Sequence, residues 1–362
     1  MMPEGAKMRI PILTIATLTT LVILAGCIGK EKSPTYDAEK DLFEARKQAG
    51  QLAFPTANRE FLDRTLAAYR KMIEDYSGDT ESIEGMDILI VTAQMELAEL
   101  EFRAALFEDA RMDFLRAYEI AGNVPAARAN ALWSAAFISR ETGDIERALE
   151  LFKRFHEEYL TGDRVIDTAL LNMRYILTPV RIAEICKAKK DSGCAKKWLG
   201  EAEKIYGHII SSSSSDEIKK EARYNLVSTH LLSEEWGKAR STIREMRKIY
   251  EDEADVPSLL FLEARVELDG FGDRNRALSV FDMVITGHPR SKEAPTALLM
   301  KGNVLLDEGK YEDAATAYSK VLDEYGGSGP ETVEARWQLA ILEAVSYTHL
   351  TLPTTTALWC GG

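Results

Sequence analysis

A small residue, a large apolar or aromatic residue four positions later and an apolar residue seven positions later recur along most of this chain. That spacing restricts it to one kind of architecture. Ala148, Phe152 and Phe155 show it, as do Ala277, Phe281 and Val284, then Ala314, Tyr318 and Val321, and Ala110, Phe114 and Ala117. Weaker copies are Ala195, Leu199, Ala202 and Ala239, Ile243, Met246. Such positions share one face of an α-helix. In several copies a second small residue stands twelve before the alanine, at Ala98, Ala136 and Gly302. Glycine-bearing turns fall between, as in Thr142-Gly143-Asp144 and Glu308-Gly309-Lys310. Antiparallel helices meet closely where small side chains face each other, and the aromatic fills the groove to the next pair. The spacing predicts helical hairpins stacked in series.

From about Tyr36 to Val345 the chain reads as helix after helix, with prolines confined to boundaries such as Pro55, Pro125, Pro257, Pro289 and Pro330. Strand-like alternation is absent. The fold class expected is all-α, with about seven hairpins beginning with Asp37–Phe54 paired to Arg59–Tyr76. Ser211 to Ser215, five serines in a row, read as a flexible loop after a helix ending near Ile210.

This pattern resembles the tetratricopeptide repeat (TPR) family across nearly the whole of 36–345, most closely in Leu132–Leu160 and Leu298–Tyr325. The anchor alanines lie 37 to 47 residues apart, against roughly 34 in the standard repeat, so the array is TPR-like with extended connections. The connector His288-Pro289-Arg290-Ser291-Lys292-Glu293-Ala294-Pro295, with Gly302 beyond it, is similar to those of BamD-type lipoproteins of β-barrel assembly. It is equally similar to YbgF-type proteins of the Tol–Pal system.

The N-terminus points to the same compartment. Lys7 and Arg9 precede an apolar stretch, Ile10 to Ala25, too short for a spanning helix and suited to a signal peptide. Leu24-Ala25-Gly26-Cys27 resembles a lipobox. The resemblance implies removal of residues 1–26, a lipid on Cys27, and a polar tether over 27–35 leading into the array. Ile28 carries no aspartate retention signal, which favours an outer-leaflet destination in a cell with two membranes. The expected location is the exported side of a membrane, on the periplasmic face or the outer surface.

A formal charge of −13 argues against nucleic acid as a partner and against attraction to anionic headgroups, leaving the acyl chains of Cys27 as the membrane attachment. Cys186 and Cys194 flank a predicted turn and form either a disulfide or two small buried thiols. At the other end, 346–362 contains no Asp, Glu, Lys or Arg and is crowded with threonine. Ser346-Tyr347-Thr348-His349-Leu350 onward resembles a translated sequencing adapter, so this tail is expected to be non-native. Glu331–Ala344 then reads as the first helix of a further hairpin whose partner is missing.

No motif assembles an active site. The five histidines are scattered without a second at zinc-ligand spacing, and His156-Glu157-Glu158 lacks the distal histidine of a metalloprotease helix. Gly302 to Lys310 has neither the glycine spacing nor the Ser or Thr of a phosphate loop. No catalytic residue, metal, cofactor or small-molecule substrate is therefore expected. The resemblance instead implies envelope proteins or peptides as partners, bound on a concave face lined by the first helix of each hairpin. Counting from the small packing residues selects Met95, Glu99, Trp133, Phe137, Phe261, Arg265, Leu299 and Asn303 for that face. Only Asn303 fits a carboxylate clamp. The aromatics either form an apolar groove for an extended segment or amphipathic helix, or pack between hairpins. The function expected is a lipid-anchored, non-enzymatic scaffold, BamD-like in outer-membrane protein assembly or, alternatively, YbgF-like in coordinating Tol–Pal and cell-wall synthesis.

Overall fold

The computed structural model describes residues 33–351, apart from 123, 252–253, 328 and the side chains of 345–351. The 1–26 leader, Cys27, most of the tether and residues 352–362 of the tail lie outside the described residues. Among those described, the regular elements are all helical. They are α1 (Tyr36–Ala49), α2 (Arg59–Tyr76), α3 (Met86–Arg103), α4 (Phe107–Ile120), α5 (Pro125–Glu141), α6 (Ile145–Tyr159), α7 (Arg164–Leu171) and α8 (Thr178–Ala188). There follow α9 (Ser192–Ser212), α10 (Asp216–Leu232), α11 (Trp236–Ile249), α12 (Val256–Arg265), α13 (Arg274–Gly287), α14 (Ala294–Asp307), α15 (Tyr311–Tyr325) and α16 (Pro330–Thr351). Seven hairpins result: α1/α2, α3/α4, α5/α6, α8/α9, α10/α11, α12/α13 and α14/α15. The chain divides into two compact units at Ala131/Leu132.

One backbone device sets the hairpin register. In six of the seven hairpins the residue two before the second helix has positive φ: Ala105 (60°), Gly143 (84°), Lys190 (60°), Glu234 (59°), Gly272 (64°) and Gly309 (74°). A left-handed residue ends the first helix, and the next N–H turns back to a carbonyl of its last turn. Leu106 N donates to Glu101 O at 2.9 Å, Asp191 N to Cys186 O at 2.9 Å and Lys310 N to Leu305 O at 2.9 Å. Aspartates then cap the second helix: Asp144 accepts from Arg147 N and Asp273 from Arg276 N. Five residues past each left-handed position stands the anchor alanine. Ala110, Ala148, Ala239, Ala277 and Ala314 are wholly buried, and Ala195 nearly so. The repeat inferred from the sequence is thus the repeat of the backbone.

Three of those left-handed residues carry a Cβ, which costs roughly 1–2 kcal/mol each in that conformation. Ala105→Gly and Lys190→Gly should therefore each raise stability by about 0.5–1 kcal/mol, after the greater freedom of glycine in the unfolded chain is deducted. A urea midpoint shifted upward at unchanged slope is the expected reading.

The first unit buries Leu42, Leu62, Leu66, Tyr69, Met72, Met86, Ile90 and Leu97 in one core. Arg46 of α1 grips Glu96 of α3 at 2.6 Å, and Tyr69 OH of α2 donates to the same carboxylate at 3.1 Å. Deeper lies a pair of buried acids, Glu101 and Asp113, met by Arg70 and Arg116 respectively, each at 2.5 Å. Burial first, then the Asp113 charge, pushes the Glu101 carboxyl up to about 8, against the opposing pull of Arg70.

The second unit shows why the repeat is stretched. The 47 residues between Ala148 and Ala195 accommodate α7 and a 3-10 segment, Met173–Leu177, before α8 begins with Pro179 in its first turn. The 44 residues from Ala195 to Ala239 accommodate the long α9. The serine run forms a shorter connection than expected, with Ser213 to Ser215 alone lying between the helices. Ser211 and Ser212 complete α9, and Ser215 caps α10 by accepting from Ile218 N, the role for which serine is favoured at helix starts. Cys186 on α8 and Cys194 on α9 are joined as a disulfide with Cα atoms 5.7 Å apart. At the far end α16 runs from Pro330 to Thr351, beyond the Ala344 expected for it.

Candidate functional site

The first helices of the hairpins should carry the binding surface, and the structure sorts the residues selected on them. Met95 in the first unit is buried, and Glu99 is half-buried. In the second unit Trp133 is only 6% exposed. Its indole stacks on Phe137 at 5.5 Å, meets Phe152 edge-on at 6.0 Å and Tyr175 at 6.0 Å, and the Arg174 guanidinium covers it at 4.7 Å. Arg174 and Tyr175 come from the 3-10 segment of the α6–α8 connection, which spacing counted from the repeat does not anticipate. Leu299 is also buried. Met95, Trp133 and Leu299 are therefore packing residues in the free protein. They do not line an open groove.

The others keep accessible surface. Phe137 is half-buried between Trp133 and the Arg140 guanidinium, 5.4 Å from its ring. Phe261, half-buried on α12, leans on Phe281 at 6.0 Å. Arg265, one turn on, is exposed and paired with Asp269 at 2.8 Å. Asn303 accepts from Tyr318 OH at 2.8 Å, which commits its carbonyl to holding α14 against α15. Burial pushes the Tyr318 phenol up to about 12, so it remains a donor at any physiological pH.

A second feature was not legible beforehand. Along the first helices of the last hairpins, a polar side chain near one helix start reaches an acid at the start of the next, 35 residues away. Lys220 of α10 pairs with Asp255 before α12, and Ser258 of α12 donates to Glu293 before α14. Thr296 of α14 donates to Glu331 of α16 at 3.0 Å. Tyr224 OH adds a bond to Asp255 at 3.3 Å. Each acid also lies at a helix N-terminus, where the dipole favours negative charge. The ladder fixes the spacing of successive first helices and hence of any surface they present. Thr296→Val, which keeps shape but deletes a rung, should cost about 1 kcal/mol, read as an earlier urea transition of α14 and α16.

The connector singled out in the sequence also forms a concavity. Ala254, Pro257 and residues 287–293 border an open hollow of about 520 Å³. Arg290 and Lys292 are exposed at this connector, and Tyr325 OH braces it by donating to Pro289 O at 2.9 Å. Ser291 Oγ is buried there without a hydrogen-bond partner. The acids of the ladder are engaged in ion pairs and hydrogen bonds that hold helices together, an arrangement suited to presenting a rigid surface.

Residues 267–328 and 299–345 match the model of the tetratricopeptide repeat. No curated protein matches the chain. Among solved structures, the apo form of RapI is 11% identical, covering 86% of this chain and 82% of that one with a TM-score of 0.51. A tetratricopeptide repeat protein from Parabacteroides merdae is 14% identical, covering 84% and 99%, at a TM-score of 0.47. PilF of Pseudomonas aeruginosa is 15% identical over 70% and 97%, at 0.39. At such identities the likeness speaks to fold alone. The stretch from 267 to 345 matches the tetratricopeptide repeat, and the hairpins before it share its all-α register of left-handed turns and buried alanines.

Proposed function

We propose that the protein is a lipid-anchored, non-enzymatic scaffold of the cell envelope that holds protein partners near a membrane. The observation that carries this reading is the register itself: six hairpins closed by the same left-handed turn and, in the last part of the chain, laddered at fixed spacing. Such an array presents a pre-organised surface to an extended or helical segment. The lipobox at Leu24–Cys27 supplies the anchor in this reading. Among envelope roles we favour outer-membrane protein assembly of the BamD kind over coordination of Tol–Pal and wall synthesis, with protein or peptide partners in either case.

Cell fractionation tests the anchor. The wild-type chain should sediment with membranes, and Cys27→Ser should leave the repeats folded and move the protein to the soluble fraction. A Cys27→Ser protein that stays in the pellet, uncleaved, would show that the apolar segment is a permanent anchor and that Cys27 carries no lipid.

A further inference from the structure

Three helices of the second unit converge on one polar corner away from the ladder. Glu203 on α9 and Glu235 immediately before α11 present carboxylates, and His230 comes from the last turn of α10. One ligand atom from each lies within 4.8 Å of the other two. His230 is 4% exposed, and both of its ring nitrogens are buried without a hydrogen-bond partner. Its Nε2 faces Glu203 Oε1 at 3.5 Å, too long for a good hydrogen bond. A buried imidazole that Glu203 meets only weakly at Nε2 and nothing meets at Nδ1 costs free energy that a closer partner would recover.

A positive charge already stands at this corner. Lys238 Nζ lies 3.0 Å from Glu203 Oε1 and 3.1 Å from Glu235 Oε2. The lysine side chain is half exposed, so its flexible stem can swing into water. The ammonium is engaged with the two carboxylates, and no hydrogen bond joins it to the imidazole. A metal ion engages all three residues together, taking one ring nitrogen of the neutral imidazole and one oxygen of each carboxylate as ligands.

We propose that Glu203, His230 and Glu235 bind a divalent transition-metal ion of the zinc class, with the Lys238 ammonium as its resident competitor. One imidazole and two carboxylates suit Zn²⁺ or Co²⁺, whereas the nitrogen ligand disfavours Mg²⁺ and Ca²⁺. Water completes the coordination on the open side, where Glu203 and Glu235 are partly exposed. The ion ties α9 and α10 to the start of α11, so it fixes the α8/α9 hairpin against the α10/α11 hairpin. Sequence spacing hides such a site, because Glu203 on α9 stands 27 residues before His230.

Calorimetric titration of the detergent-solubilised full chain with Zn²⁺, after chelator treatment, tests the site. The expected result is one ion per chain, with a rise in melting temperature that the chelator reverses. His230→Gln and Glu235→Gln should each weaken binding by at least about tenfold, the smallest loss typical even of residues behind the ligands. Glu235 is exposed, so its variant tests the site should His230→Gln fail to fold. Lys238→Ala should tighten binding by removing the competitor. Absence of stoichiometric Zn²⁺ binding overturns the proposal, as does binding left unchanged by Glu235→Gln or weakened by Lys238→Ala.

Discussion

Gly302→Val should destabilise the α14/α15 hairpin by about 3 kcal/mol, the upper end of what overpacking a core costs. A Cβ at Gly302 would lie 2.5 Å from Tyr318 Cε1 and 2.8 Å from Cδ1. The ring has nowhere to go, because Tyr318 is wholly buried and its hydroxyl is tied to Asn303 Oδ1. Moving it breaks that bond as well as the packing. Gly200→Ala on α9 is the matched control: nothing lies within 4 Å of its Cβ position. There the helix gains about 0.5–1 kcal/mol from the loss of glycine. Hydrogen exchange of the α14 and α15 amides separates local from global loss. In an array of nearest-neighbour contacts the damage should reach α12, α13 and α16 and fade beyond them.

The second large effect concerns pH. Glu101 titrates near 8 in the folded first unit, because burial and the neighbouring Asp113 disfavour its charge, and near 4.3 when unfolded. The folded state therefore holds a proton that the unfolded state releases. Its contribution to stability is fully present below the unfolded value and is lost as pH rises toward about 8. The first unit should lose a few kcal/mol across this window, each pKa unit being worth about 1.4 kcal/mol. Glu101→Gln, a neutral mimic of the protonated acid, should flatten the profile and be the more stable form at pH 8. Protection of the α3 and α4 amides against pH is the measurement. A wild-type profile already flat from pH 5 to 8 would mean that Arg70 keeps Glu101 ionised.

Which parts of this molecule were readable beforehand follows from how local their causes are. Ala148, Phe152 and Phe155 sit on one turn-to-turn face, so three letters state both helix and packing direction; all three are buried as expected. Gly143, Gly272 and Gly309 announce the left-handed turn, but Ala105, Lys190 and Glu234 hold the same φ and do not. Their hairpins were placed by the alanines and, for Lys190, by the turn read between Cys186 and Cys194. Composition placed a connection at the serine run but not its extent, because Ser211–Ser212 extend α9 and Ser215 serves as the cap of α10. Trp133 could face groove or core on repeat spacing alone. The choice was made by Arg174 and Tyr175, brought over it by a connection foreign to the repeat. The ladder and the Glu203–His230–Glu235 corner depend on residues from neighbouring helices, and no local pattern marks them.

The claim that this array is a scaffold for envelope proteins is tested most directly by affinity capture of the full chain from detergent-solubilised membranes of its native cell. The account predicts a stoichiometric protein partner, with barrel-assembly subunits supporting the favoured reading and Tol–Pal components or murein synthases the other. Recovery of the chain alone, with no envelope protein retained in stoichiometric amount, would contradict it.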